Sequence, residues 1–180
     1  MPATAPLTAD ELLSLRIPGK SLELVRGVLL VKEPPGFLHG AVAARLGNMI
    51  ANHVNARDLG LVLAAETGFK LAADPDTVRA PDVAFVRRER IPDPLPGGYA
   101  ALAPDLAVEV LSPSDRPGAV LAKVADWLDA GSQLVWVVDP AARRARVYRA
   151  DGSESLLVEG DVLDGETVLP GFSCRLAAVL

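Results

Sequence analysis

An α/β (α+β) fold, a mixed β-sheet flanked by helices, is what this sequence predicts, and three observations predict it. Apolar residues recur at three- and four-residue steps around 38–58 and again around 118–130, which marks one apolar face of a helix in each. Several short runs rich in Val, Leu and Phe, bounded by Pro, Gly and Asp, read as strands. One of them, QLVWVVDP at 133–140, is apolar on both faces and so belongs at the centre of a sheet.

Taken in order, Leu7 to Leu15 predicts a short helix, with Thr8 as N-cap and Glu11 at the capping-box spacing. LELVRGVLLV, residues 22–31, has strand composition around Arg26-Gly27, consistent with a hairpin that Pro34-Pro35-Gly36 ends. In the helix from Leu38 to about Asp58, Val42, Leu46, Met49, Ile50 and Val54 form the apolar face, and Gly60 stands just past its end. LGLVLAAETGFKLA (59–72), PDVAFVRR (81–88) and DLAVEVLS (105–112) follow as three strands. Gly118 to Ala130 is the second amphipathic helix, with Gly131 as terminator. ARVYR and ESLLVEG form an antiparallel pair around Asp151-Gly152, a favoured hairpin dipeptide. Hairpin, helix, strands, helix, strands is the pattern of helices packed on a mixed sheet.

The 180 residues suit one domain, 1–180, with a hydrophobic core. Half the residues are apolar and 23% charged, a globular rather than disordered balance. No apolar run approaches the roughly 18 residues of a membrane span, and MPATAPLTADELL lacks the basic start and apolar stretch of a secretory signal. The single cysteine, Cys174, excludes an intrachain disulfide and a multi-cysteine zinc site. Its neighbours in GFSCRLAAVL predict a buried, inert thiol. A cytoplasmic protein fits these features. The net charge of −5 runs against phosphate binding, although arginines crowd two segments: Arg79, Arg87, Arg88 and Arg90, then Arg143, Arg144, Arg146 and Arg149. Solvated strand ends and turns are the plainer reading of both clusters. No phosphate-cradling loop, nucleophile elbow or His/Cys-based zinc site is present.

Glu109 is the most informative residue. It lies inside LAVEVL among apolar neighbours, where a carboxylate is costly unless paired, protonated or bound to a metal. A structural ion pair with Arg or Lys is the alternative. Asp82 opens a second apolar strand in RAPDVAFV, where an acid after Pro also suits a plain turn. If the two strands are neighbours, both acids converge at one end of the sheet, and paired carboxylates suit Mg²⁺ or Mn²⁺.

PDVAFV, then PDLAVEVLSPSD, then Lys123 in the next helix, then WVVDP, resembles a bacterial family of putative restriction endonucleases abundant in cyanobacteria, within the PD-(D/E)XK nuclease superfamily. LELVRGVLL, His39 and LPGF at 169–172 extend the resemblance across most of the chain. It implies a restriction-endonuclease-like core with Asp82 and Glu109 as metal ligands, Mg²⁺ or Mn²⁺ as cofactor and DNA as substrate. The superfamily's lysine, two residues after the second acid, is here Leu111. Lys123 is its natural substitute, one helical turn before Trp127, and a solvated edge lysine is the other reading. The family pattern also places an acid at Glu23, a candidate third metal ligand, with Glu66 as competitor. His39 could serve a phosphate or a proton transfer, or simply start a helix. Asp115 reads as a turn or helix-cap acid, and Asp139 as the end of a strand before Pro140.

The leading expectation is a Mg²⁺-dependent DNA endonuclease acting as a homodimer, because cutting two strands needs two sites. The alternative is a nucleic-acid-binding or regulatory protein that keeps the nuclease fold without cleaving. A purely structural protein would instead pair Glu109 with an arginine.

Overall fold

The structure is a computed structural model that describes residues 5–180. Residues 1–4, the beginning of the stretch read as lacking a secretory signal, lie outside the described residues. Helix α1 (Ala9–Ser14) starts on the capping box foreseen at Thr8 and Glu11. Strands β1 (Ser21–Val25) and β2 (Val28–Lys32) form the predicted hairpin, where Arg26 and Gly27 both take positive φ, 48° and 75°, as a tight primed turn requires. Helix α2 (Phe37–Arg57) follows. Its terminator is Asp58, left-handed at φ 57°, and not Gly60. Gly60 opens β3 instead, where a Cβ would come within 2.1 Å of the Val86 carbonyl oxygen.

The run 59–72 is two strands, not one. Strand β3 (Gly60–Ala64) and strand β4 (Phe69–Ala72) are separated by a turn and join different sheets. Two further strands follow, β5 (Thr77–Arg79) and β6 (Val83–Arg87). After β7 (Leu106–Val110) come α3 (Pro117–Asp129) and β8 (Leu134–Asp139). Then β9 (Arg144–Arg149) and β10 (Glu154–Val158) make the second predicted hairpin. A small pair closes the chain, β11 (Val162–Asp164) and β12 (Ser173–Arg175).

The main sheet has six strands in the order β10-β9-β8-β7-β6-β3. It is mixed, because β7 and β8 run parallel across the α3 crossover while the other neighbours are antiparallel. The second sheet, β2-β1-β5-β4, is antiparallel and was not foreseen as separate. The period of two along β6 and β7 sends alternate side chains to opposite faces. Val83, Phe85, Leu106, Val108 and Val110 pack with Val42, Leu46, Ile50 and Val54 of α2. Ala84, Val86 and Ala107 pack with Val124 and Trp127 of α3. Each helix covers one face, so β8 is buried on both, as its sequence predicted. Glu109 shares the parity of Ala107 and therefore faces α3. Among the described residues no helix is long and apolar enough to cross a membrane.

Candidate active site

Sheet register brings the two singled-out acids together. With Val83 opposite Val108 on antiparallel β6 and β7, Asp82 stands beside the Glu109–Val110 segment. Its N–H donates to the Val108 carbonyl at 2.9 Å, and the Val110 N–H donates to Asp82 Oδ2 at 2.7 Å. His39, near the start of α2, places Nε2 3.2 Å from the same oxygen. That hydrogen bond raises the His39 pKa, against the opposing effect of burial, and the charges of Asp82, Asp115 and Glu109 add to it.

Glu109 is buried, and both its oxygens are engaged. Oε2 accepts from Lys123 Nζ at 2.7 Å, and Oε1 accepts from the Trp127 indole N–H at 2.8 Å. Lys123 and Trp127 are four residues apart on α3, so one helix face delivers both donors to one carboxylate. Burial raises the Glu109 pKa, with Asp82 and Glu23 adding to the rise and Lys123 opposing it. Lys123 is buried rather than a solvated edge lysine. Its ammonium also donates to the Ala80 carbonyl at 2.8 Å and lies 3.0 Å from Glu23 Oε1. Burial works against that charge, but Glu109 and Glu23 outweigh it and keep the lysine firmly protonated.

Glu23, on β1, faces cations. Oε1 accepts from Lys32 at 2.9 Å, and Oε2 accepts from Arg79 at 2.8 Å. Burial would raise its pKa, yet Lys123, Lys32 and Arg79 together hold it down at about 2. Arg79 continues to Asp126 of α3, its Nε donating to Oδ2 at 2.8 Å. Glu66, the competing acid, is exposed and accepts from the Ser21 hydroxyl. Asp115 caps its own turn through the Ser112 N–H at 2.7 Å, and Asp139 does the same for Ala142 at 3.0 Å. Asp115 is thus a turn acid, and Asp139 ends β8 before Pro140, as their sequence positions predicted.

Glu23, His39, Asp82, Glu109 and Lys123 line one cleft of about 970 Å³, with Arg16, Lys20 and Lys32 among its other walls. None of the arginines of the two clusters is among the residues that line it, although Arg79 binds Glu23. Arg79, Arg87, Arg88 and Arg90 pair with Glu23, Asp105, Asp58 and Asp105. Arg143, Arg144, Arg146 and Arg149 pair with Glu159, Asp139, Glu154 and Glu166. Among the described residues no three His, Cys, Asp or Glu side chains converge as a metal cage. Asp82 and Glu109 nevertheless fit a small hard cation: Asp82, the residue before β6, and Glu109 on neighbouring β7 are oxygen donors lining one cleft, and Mg²⁺ is commonly held by one or two carboxylates with water and substrate completing its shell.

Trp127, Asp126 and the Ala80 carbonyl were not singled out in the sequence, and Arg79 stood out only as one of an arginine cluster. For Trp127 the available signal was its place one turn after Lys123; nothing local tied the other three to the site.

The fold is similar to the crystal structure of a putative nuclease belonging to DUF820 from Anabaena variabilis, with a TM-score of 0.85 and 21% identity over 97% of each chain. No curated protein matches the chain. A family model described as putative restriction endonuclease matches residues 9–178, which include every site residue named above. The chain therefore belongs to that family, Uma2.

Proposed function

We propose that this chain is a metal-dependent phosphodiester hydrolase acting on DNA, working as a single domain. In this reading Asp82 and Glu109 hold Mg²⁺ or Mn²⁺, and Lys123 assists. The observation that carries it is the buried ammonium 2.7 Å from Glu109 at the cleft wall that Asp82 shares. A bound divalent ion supplies an activated water and stabilises charge on the transferring phosphoryl group. The chain's own residues do the positioning. The Val110 N–H and His39 fix one oxygen of Asp82 and leave the other without a protein donor among the described residues. Lys123 places a fixed positive charge beside that wall. Its three N–H donors are taken by Glu109, Glu23 and Ala80, so a phosphate oxygen reaches it by replacing one of them. Glu23, matched by three cations, serves as the counter-ion that anchors this lysine, in place of the third-ligand role first expected of it.

The test is cleavage of supercoiled plasmid with Mg²⁺ or Mn²⁺ by wild type and by Asp82→Ala, Glu109→Ala and Lys123→Ala. The two acid variants fall to background, and Lys123→Ala falls by about a hundredfold or more. Equal nicking by all four proteins refutes the assignment. The non-cleaving reading draws on Leu111 in the lysine's usual place and on the net charge of −5. Salt-sensitive DNA binding with no cleavage under any divalent cation selects it. Pairing as a homodimer would give each DNA strand its own site, and light scattering across a concentration series checks it.

A further inference from the structure

A net charge of −5 opposes DNA, so where phosphates could bind depends on which cations lack a compensating acid. The arginines of the two clusters each pair with a carboxylate. A phosphate that displaced one of those acids would still lie beside it, so the pairs offer little net attraction. The cleft lysines are matched in the same way: Lys20 by Glu33, Lys32 by Glu23, and Lys123 by Glu109 and Glu23. Two exposed arginines at the cleft differ. Arg16 lines it, and its Nη1 donates to the Leu13 and Leu15 carbonyls, both at 2.7 Å. That anchors the guanidinium while Nε and Nη2 keep their donors. Arg116, the N-cap of α3, directly follows the lining residues Ser112, Pro113, Ser114 and Asp115. Its neighbour Asp115 accepts from the Ser112 N–H and hydroxyl instead. Among the described residues neither guanidinium forms an ion pair with a carboxylate. Arg26, Arg45, Arg57 and Arg175 are likewise unpaired there, but none lines the cleft or adjoins in sequence a residue that does.

We propose that Arg16 and Arg116 hold the DNA backbone at this cleft, each contacting a phosphate, and that the arginine clusters do not. The inference rests on the reading of the chain as one that acts on DNA. A guanidinium suits the task, because its planar fork meets two phosphate oxygens at once. The two come from separate parts of the fold, Arg16 from the segment after α1 and Arg116 from the segment after β7. An acidic chain thus keeps uncompensated positive charge at the cleft that holds Asp82, Glu109 and Lys123.

The experiment is fluorescence anisotropy of a labelled DNA duplex titrated with protein, repeated at salt from about 50 to 200 mM. Ca²⁺ replaces Mg²⁺ throughout, and gels check that the DNA stays intact. The proteins are wild type, Arg16→Ala, Arg116→Ala, the double variant, and two controls. Arg175→Ala removes an exposed, unpaired arginine away from the cleft, and Arg144→Ala removes one from a cluster. Each phosphate contact contributes about 0.9 to the slope of log affinity against log salt. Each cleft variant should therefore lose about that much, and the double variant the sum, while both controls keep the wild-type slope. Arg16→Lys and Arg116→Lys keep the charge and should restore the slope, which a folding defect would not allow. A wild-type slope in either Arg16→Ala or Arg116→Ala overturns the proposal. So does an equal loss in either control, because the backbone would then be held elsewhere or by any surface arginine. Wild type without salt-sensitive DNA binding removes the DNA reading and this inference with it. Salt-sensitive binding that ignores both cleft arginines removes this inference alone.

Discussion

Replacing Lys123 with Met takes one positive charge from between two buried carboxylates while keeping most of the side chain's volume. Glu23 would still have Lys32 and Arg79, so the loss falls mainly on Glu109. That residue is 8% exposed and would be left with only the Trp127 indole. Breaking a buried pair by removing one partner costs about 3–5 kcal/mol, and the surviving indole bond argues for the lower end, about 3 kcal/mol. For a chain of this size each kcal/mol moves the melting temperature by about 2–4 °C, so Lys123→Met should melt roughly 6–12 °C below wild type at neutral pH. The loss should also depend on pH. Without Lys123 the folded-state pKa of Glu109, already raised by burial, rises further above its unfolded value. The folded protein then binds a proton that the unfolded chain does not, and stability increases as pH falls through that raised value. The deficit against wild type should therefore be larger at pH 8 than at pH 5. Adding Glu109→Gln, whose carbonyl oxygen can still accept from Trp127, should recover about 2 kcal/mol as a coupling between the two substitutions. Urea denaturation of all four proteins at both pH values measures each quantity. A deficit below about 1 kcal/mol that is equal at both pH values and strictly additive with Glu109→Gln would refute the reasoning, because Glu109 would then not be a buried charge held by Lys123.

Glu23 makes the opposite contribution. Its folded pKa of about 2 lies below the ordinary 4.5, so its stabilisation of about 3 kcal/mol is complete above pH 4.5 and lost as pH falls toward 2. The stability gap between wild type and Glu23→Gln should accordingly narrow over that window in chemical denaturation. Asp82→Ala leaves the Val110 N–H without its acceptor, which should cost about 1–3 kcal/mol; if the proposed metal site exists, Mg²⁺ should raise the melting temperature of wild type and not of this variant. Burial pushes the Cys174 thiol up to about 11, and the residue is buried in the core. A thiol reagent at pH 8 should therefore find no reactive sulfur in the native protein and one after denaturation.

What could be read from the sequence divides by the range of the interactions involved. Periodicity is local, and it located α2, α3, the two hairpins and the doubly buried β8 to within a residue or two. Pairing partners are not local. The apolar run 59–72 carries no mark of where it divides, since β3 and β4 differ only in which sheet edge receives them. The segment between the runs 59–72 and 81–88 was not read as a strand, yet it holds β5, which delivers Arg79 to Glu23. The arginine clusters looked like unmatched positive charge because their acids are distant in sequence: Arg149 meets Glu166, and Arg79 meets Glu23 and Asp126. Glu109 was legible for a related reason. An acid amid Leu, Val and Ala announces a need for compensation, but its neighbours cannot say what supplies it. Burial alone admitted a metal, a proton or a cation. The fold supplies the Lys123 ammonium and an indole from one face of α3, and it sets Asp82 beside them through β6. A buried strand acid thus locates a site from sequence alone, while its chemistry depends on contacts that only the tertiary structure brings together.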